Sequence, residues 1–202
     1  MKRSHSILLR IKMNLLERHQ ILKNVATAIT ESIAQFGEAR LNFICTHNSR
    51  RSQFSQIWGH ILAHQYGLPV TSFSGGVEVT ACNERTIASL KRLGMKVNHE
   101  GEGNPRYTVV IEDLPEAVLF SKFFDDADNP SERAIALMTC DHADENCPFI
   151  PSAWKRLPLR YEDPKRYDDT ERESSAYDET RDLIREELDQ IFAMVKKAIS
   201  EG

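Results

Sequence analysis

Apolar residues along the chain alternate between helical and strand spacing, and the alternation predicts the elements. From about residue 14 to 36, Leu15, Ile21, Leu22, Val25, Ile29 and Ile33 recur at helical intervals until Gly37 stops the pattern. The short apolar run Leu41 to Ile44 reads as a first core strand. Ile57, Trp58, Ile61, Leu62 and Tyr66 then share one face of a helix over 52–66, closed by Gly67. Val70 to Phe73 reads as a second strand ended by Ser74-Gly75-Gly76. Asn83 stands where it can cap a helix bearing Ile87, Leu90 and Leu93, again closed by a glycine, Gly94. Residues 98–134 are less regular: Tyr107 to Ile111 and Ala117 to Phe120, separated by Glu112-Asp113-Leu114-Pro115, predict an inserted hairpin. Ile135 to Thr139 is a further buried strand ending at Cys140. A loop rich in Asp, Pro and Arg runs from 141 to about 174. The chain closes on an amphipathic helix with Leu183, Ile184, Leu188, Ile191, Val195 and Ile199 on its apolar face.

Strands alternating with helices through short connections imply an α/β fold, a parallel sheet with helices on both faces. Ligands of such sheets sit beyond the strands' carboxyl ends, where Cys45 and Cys140 both fall. The 202 residues suit one domain with additions. The expected division is an N-terminal helical extension, 1–38, and a domain, 39–202, carrying the inserted hairpin region 98–134. A hydrophobic content of 41% and a charged content of 28% are those of a soluble globular protein. The net charge of −4, without a basic stripe, argues against a nucleic-acid partner, and no apolar run is long enough for a membrane span. Four cysteines are too sparse for a disulfide scaffold, which points to a reducing, cytoplasmic setting. Arg10 and Lys12 interrupt any signal-peptide core, and Met13 is a plausible alternative start, so no structure is expected of residues 1–12.

The chemistry concentrates in Cys45-Thr46-His47-Asn48-Ser49-Arg50-Arg51-Ser52, a thiol at a strand end followed by a tight loop and a helix start. Inward-pointing amides of Thr46 to Ser52, added to the helix dipole, suit a tetrahedral oxyanion, and the same field stabilises a thiolate on Cys45. Arg51 can grip two oxygens with its planar fork, and Ser52 can donate to the sulfur. The plainer reading makes Cys45 a small buried hydrophobe and Arg51 a surface residue. Downstream, Cys140 and Cys147 are separated by six residues. They are two unrelated thiols, or a metal site with His142 and Asp144 at wider spacing than zinc usually takes, or a redox pair. In the last case Cys140 resolves an intermediate on Cys45 and Cys147 resolves Cys140, which requires the loop to refold until the Cα atoms come within about 7 Å. Asp163, before Pro164, is either a turn signal or an acid held extended into a cleft to protonate a leaving oxygen.

Together these residues resemble the low-molecular-weight protein tyrosine phosphatase superfamily. The resemblance spans about 39–195 and rests on Cys45-x5-Arg51-Ser52, Ser74-Gly75-Gly76-Val77-Glu78, Asn83 and Asp163-Pro164. Within it, Cys140…Cys147-Pro148 is similar to the thioredoxin-coupled arsenate reductases. The resemblance implies four parallel strands, Cys45 as nucleophile, Arg51 as oxyanion clamp, Asp163 as acid and Cys140 and Cys147 as relay thiols. It also implies no tightly bound cofactor or metal, an external thiol reductant such as thioredoxin, and a small oxyanion substrate. The expected function is thiol-dependent reduction of arsenate. The alternatives are phosphomonoester hydrolysis through a cysteinyl-phosphate and a non-enzymatic oxyanion or metalloid sensor, which would need no acid at Asp163. The chain departs from the family at His47, often glycine, and at Arg50, often cysteine in the reductases. Gln56 stands where some reductases have a carboxylate that helps bind potassium, and Lys165-Arg166 replaces the paired tyrosines of eukaryotic phosphatases. Cys82 is expected to be structural.

Overall fold

Leu41, Phe43, Ile135 and Leu137 point to one side of the central sheet and Ile44, Ala136 and Met138 to the other, so both faces of these strands are apolar. Only a parallel sheet covered on both sides leaves strands so uniformly buried. The computed structural model describes residues 2–146 and 149–201, with side chains over 14–144 and 149–201. Its central sheet has the order β2-β1-β6-β7, all parallel, from β1 (Ala39–Cys45), β2 (Val70–Gly76), β6 (Ala134–Met138) and β7 (Ala153–Pro158). Helices α1 (Lys2–Phe36) and α2 (Arg51–Gln65) pack on β1, and α5 (Glu173–Glu201) seals them from outside. Between them lies the main core, in which Phe43, Phe54, Tyr177 and Phe192 are fully buried. Helix α3 (Glu84–Arg92) packs on α5, and the short α4 (Asp141–Asn146) lies against β1 and β6. Asn83 caps α3 as expected, its side chain accepting from Arg85 N–H at 2.9 Å.

The insert holds a three-stranded antiparallel sheet, β3-β4-β5, from β3 (Lys96–Glu100), β4 (Arg106–Val110) and β5 (Ala117–Leu119). The expected hairpin is β4 and β5; β3, four of whose five residues are exposed, adds an edge strand that no alternation announced. Three further expectations are corrected. Helix α1 reaches back to Lys2 rather than beginning near residue 14, over a segment of mostly good helix formers. The expected 141–174 loop contains α4, β7 and a 3₁₀ turn, Pro164–Tyr167. Leu15, Leu93, Leu183 and Ile199 are 65%, 41%, 46% and 41% exposed and lie outside the core, while Tyr177 and Phe192 anchor α5 inside it.

The glycines of Ser74-Gly75-Gly76 are set by close approach. A Cβ on Gly75 would stand 2.3 Å from Phe124 Cα, and one on Gly76 2.8 Å from Asn48 N. The end of β2 is thereby pressed against the Cys45 loop. Phe43 fills the layer between β1 and α2, so Phe43→Ala is expected to cost about 3–5 kcal/mol of stability through the cavity it leaves. Urea unfolding of the two proteins would measure it; a loss well under 1 kcal/mol would mean that the layer closes over the gap.

Candidate active site

The backbone leaves β1 at Cys45 and re-enters regular structure at Arg51, and the loop between turns on Asn48, whose φ of +47° is left-handed. Asn48 is fully buried, and its side-chain amide is held at both ends. Its Oδ1 accepts from Lys122 N–H at 3.0 Å, which sets the amide's orientation, and its Nδ2 donates to Ser52 Oγ at 2.9 Å. Ser52 Oγ, already accepting, has its own proton to give, and Cys45 Sγ lies 3.0 Å away. The donor expected for the sulfur is thus in place. Gln53, also fully buried, donates through Nε2 to the carbonyls of Asn48 and Phe120 at 2.7 and 2.8 Å. Ser121 Oγ donates to His47 O at 2.8 Å. The loop is therefore held from behind by the segment that follows the inserted sheet.

Helix α2 begins without a side-chain cap, so its first amides are left to the loop. Arg51 projects from its first turn. Nη1 donates to Tyr161 O at 3.0 Å, Nη2 to Asp163 Oδ2 at 2.5 Å, and the buried Nε has no partner among the described residues. An orphaned buried donor is costly and is satisfied by an acceptor entering the site. Asp163 is extended before Pro164, with Oδ1 accepting from Lys165 N–H at 3.1 Å. Cys45, Thr46, His47, Ser49, Arg50, Arg51, Asp163 and Lys165 line one pocket of about 230 Å³.

Two expected loop side chains are engaged elsewhere. The Arg50 guanidinium donates to Tyr177 OH at 2.6 Å and to Asp168 at 3.3 Å, while Tyr177 donates to Asp168 at 2.8 Å. His47 pairs with Glu78 at 3.0 Å. The charge at Arg50 is thus balanced within the protein, while the residue still lines the pocket.

Cys140 is 3% exposed and shares a small apolar cluster with Cys45, Ile44, Ala136, Met138, Ala143 and Ile150. Parallel register sets the two thiols at the same end of neighbouring strands, and Thr139 locks it by donating to Ile44 O from both its amide and its hydroxyl. Thr46 Oγ1 stands 3.5 Å from Cys140 Sγ, and Ala143 N–H donates to that sulfur at 3.4 Å. Cys147 lies outside the described residues. Among the described residues no three His, Cys, Asp or Glu side chains converge on a point that could hold a metal ion. Asp144, once a candidate ligand, is taken by Arg156 and Arg160. Cys82 is a free thiol, 2% exposed, and burial pushes it well above the ordinary thiol range.

Asn48, Gln53, Ser121 and Lys122 form a buttress that sequence reasoning did not assemble. Gln53 offered a signal, a polar residue flanked by Ser52 and Phe54 in a buried helix.

The sheet order, the loop and the paired thiols can be set beside solved structures. YwlE from Bacillus subtilis superimposes with a TM-score of 0.52 at 16% identity, covering 79% of this chain and 99% of that one. A low-molecular-weight protein tyrosine phosphatase from Bacillus subtilis gives 0.50 at 17%, covering 78% and 97%. The fold is that of the low-molecular-weight phosphatases. Another chain with this phosphatase fold, an arsenate reductase from Archaeoglobus fulgidus, superimposes with a TM-score of 0.50 at 17% identity, covering 76% and 98%. In sequence, the chain is similar to curated arsenate reductases. Arsenate reductase 2 of Staphylococcus saprophyticus is 26% identical over 152 residues, which are 74% of this chain and 93% of that protein. The arsenate reductase of Halalkalibacterium halodurans is 26% identical over 161 residues, 79% of this chain and 94% of its own length. No family model matches the chain. No helix among the described residues is long and apolar enough to cross a membrane.

Proposed function

We propose that the protein is a thiol-dependent arsenate reductase on this phosphatase scaffold. The observation that carries the reading is the placement of two thiols, Cys45 and Cys140, in one buried cluster beside a loop whose clamp, Arg51, has an unsatisfied donor. The curated relatives named arsenate reductases support it, being matched over most of their length.

In the proposed cycle, arsenate takes the place between Arg51 and the loop amides, where backbone dipoles and the guanidinium stabilise its charge. The Cys45 thiolate attacks arsenic, and Asp163 protonates an oxygen that departs as water. Cys140, as thiolate, attacks the Cys45 sulfur; the sulfur–sulfur bond forms and the arsenic–sulfur electron pair stays on arsenic, which leaves as arsenite. Cys147 then attacks Cys140 and frees Cys45. An external dithiol of the thioredoxin kind reduces the Cys140–Cys147 disulfide by a further exchange. These thiols need a reducing compartment, so we place the protein in the cytoplasm.

A second reading, phosphomonoester hydrolysis, is favoured by one observation. A cleft of about 480 Å³ adjoins the oxyanion pocket through His47, Ser49, Arg50 and Lys165, and the inserted sheet contributes Gly103, Pro105 and Tyr107 to its wall. Arsenate needs no such space, whereas the organic part of an ester does. The test runs both assays on one preparation: arsenate consumption with thioredoxin and its reductase, and release of phenols from aryl phosphates. Catalytic arsenate turnover supports the first reading; ester hydrolysis with only stoichiometric arsenate consumption supports the second. Turnover of neither would leave a binding protein.

The acid has its own test. Asp163→Asn is expected to slow hydrolysis of esters with basic leaving groups by about 10²–10⁴-fold and of activated phenols far less. Rates across a series of substituted phenyl phosphates measure this. An equal loss throughout would reassign Asp163 to holding the 3₁₀ turn and Arg51.

A further inference from the structure

Lys122 is 4% exposed, yet among the described residues no carboxylate lies within ion-pair distance of its ammonium. Its Nζ sits 4.5 Å from the centroid of the Phe120 ring, which also carries the Arg106 guanidinium at 3.8 Å. The side chain lines a cleft of about 310 Å³ together with Gln56, His60 and Arg106. Two carboxylates, Glu116 and Asp128, line the same cleft, and neither is within ion-pair distance of the ammonium. Arg106 is held by Asp128 at 2.7 Å, and His60 meets Pro115 O at 2.8 Å. The Gln56 amide is committed to Val118 O and Ser74 Oγ. Burial is the largest influence on the amine and brings it down to about 8; Asp128, Asp126 and Cys82 act against that, and Arg106 adds to it.

The backbone of the same residue supports the oxyanion loop on two sides. Its N–H donates to Asn48 Oδ1, and its carbonyl accepts from Gly76 N–H at 2.9 Å. The ammonium therefore lies within about one lysine side chain and one hydrogen bond of the loop, on the order of 10 Å. A buried charge that rests on an aromatic face with no carboxylate paired to it is costly. A dianion on the far side of the loop would offset part of that cost, since the fully buried Asn48 and Ser52 lie between.

We propose that the Lys122 ammonium is a fixed positive charge seated behind the oxyanion loop, a positioning residue that strengthens the loop's hold on a dianion. This rests on the reading of the Cys45–Ser52 loop as an oxyanion site. Coupling is reciprocal: the proton on Lys122 favours the anion and the anion favours the proton. The sign follows. Below about pH 8 the amine is charged and affinity is full; affinity falls as pH rises and the amine is neutralised.

The test uses the full chain carrying Cys45→Ser, so that the nucleophile's own proton does not enter, and sulfate, whose charge is constant over the range. Isothermal titration between about pH 7 and 9 should show affinity falling about tenfold, with proton uptake on binding near pH 8. Adding Lys122→Met should give a flat profile at the weak, high-pH level. Adding Lys122→Arg should give a flat profile at the strong level, because arginine stays charged throughout. A Lys122→Met protein that keeps the decline, or binds as tightly as its parent near pH 7, overturns the proposal. So does a decline in Lys122→Arg, which decides the matter alone if the methionine variant fails to fold. Absence of sulfate binding in every variant would instead sink the oxyanion reading of the loop.

Discussion

Cys45→Ser abolishes both arsenate turnover and phosphate-ester hydrolysis, by on the order of 10³-fold or more, with thermal unfolding nearly unchanged. The expectation follows from the geometry around the sulfur. A serine hydroxyl at position 45 can still accept from Ser52, so the Asn48–Ser52 chain and the loop it holds survive. What disappears is the anionic nucleophile, because an alcohol stays protonated near neutral pH where a thiol can ionise. Steady-state rates on both substrates, with a melting curve as control, measure the outcome. Residual activity above a few per cent in a folded protein would place the nucleophile elsewhere.

The second large effect separates the two enzymatic readings. Cys140→Ser and Cys147→Ser leave the loop, Arg51 and Asp163 untouched, so each should retain ester hydrolysis within a few-fold. Each should lose catalytic arsenate turnover, but they should stall differently. Without Cys147 the relay stops at a Cys45–Cys140 disulfide; without Cys140 that disulfide cannot form. Peptide mass mapping after one arsenate equivalent distinguishes the two. If the unmodified protein never yields Cys140–Cys147 during turnover, the relay is wrong and hydrolysis becomes the better account.

The sequence was most legible where local rules and burial agree. β1, α2, β2 and α3 could be read because apolar faces were closed by Gly67, Gly94 or Asn83, and each signal has a local cause. β7 was not, because Ala153–Pro158 is an edge strand whose Lys155 and Arg156 break any apolar run, and its partnership with β6 is long-range. β3 is similarly exposed, and α4 is too short to show a period. In the site, Cys45, Arg51, Ser52 and Asp163 announced themselves through spacing and residue chemistry, and they line or adjoin one pocket. The buttress did not, since Gln53, Ser121 and Lys122 act through bonds that span 67 to 74 residues, which no window along the chain contains. The partners of Arg50 were hidden for the same reason: Asp168 and Tyr177, which hold its side chain, stand more than a hundred positions away.

The two thiols stand on foundations of unequal stiffness. Cys45 ends a strand paired on both sides and backed by fully buried side chains, so its surroundings open only with the whole fold. Cys140 leads into α4, which rests on the sheet through the buried Ala143 and is otherwise fastened by ion pairs: Asp144 to Arg156 and Arg160, and Asp141 to Arg160 at 2.9 Å, among partly exposed groups. Such pairs hold weakly and loosen as salt rises. Amide hydrogens over 141–146 therefore belong to a fast-exchanging unit, and those of β1 to the slowest. The nucleophile thus sits on the stiff anvil of the sheet, and the neighbouring thiol at the hinge of a panel pinned mostly at its rim.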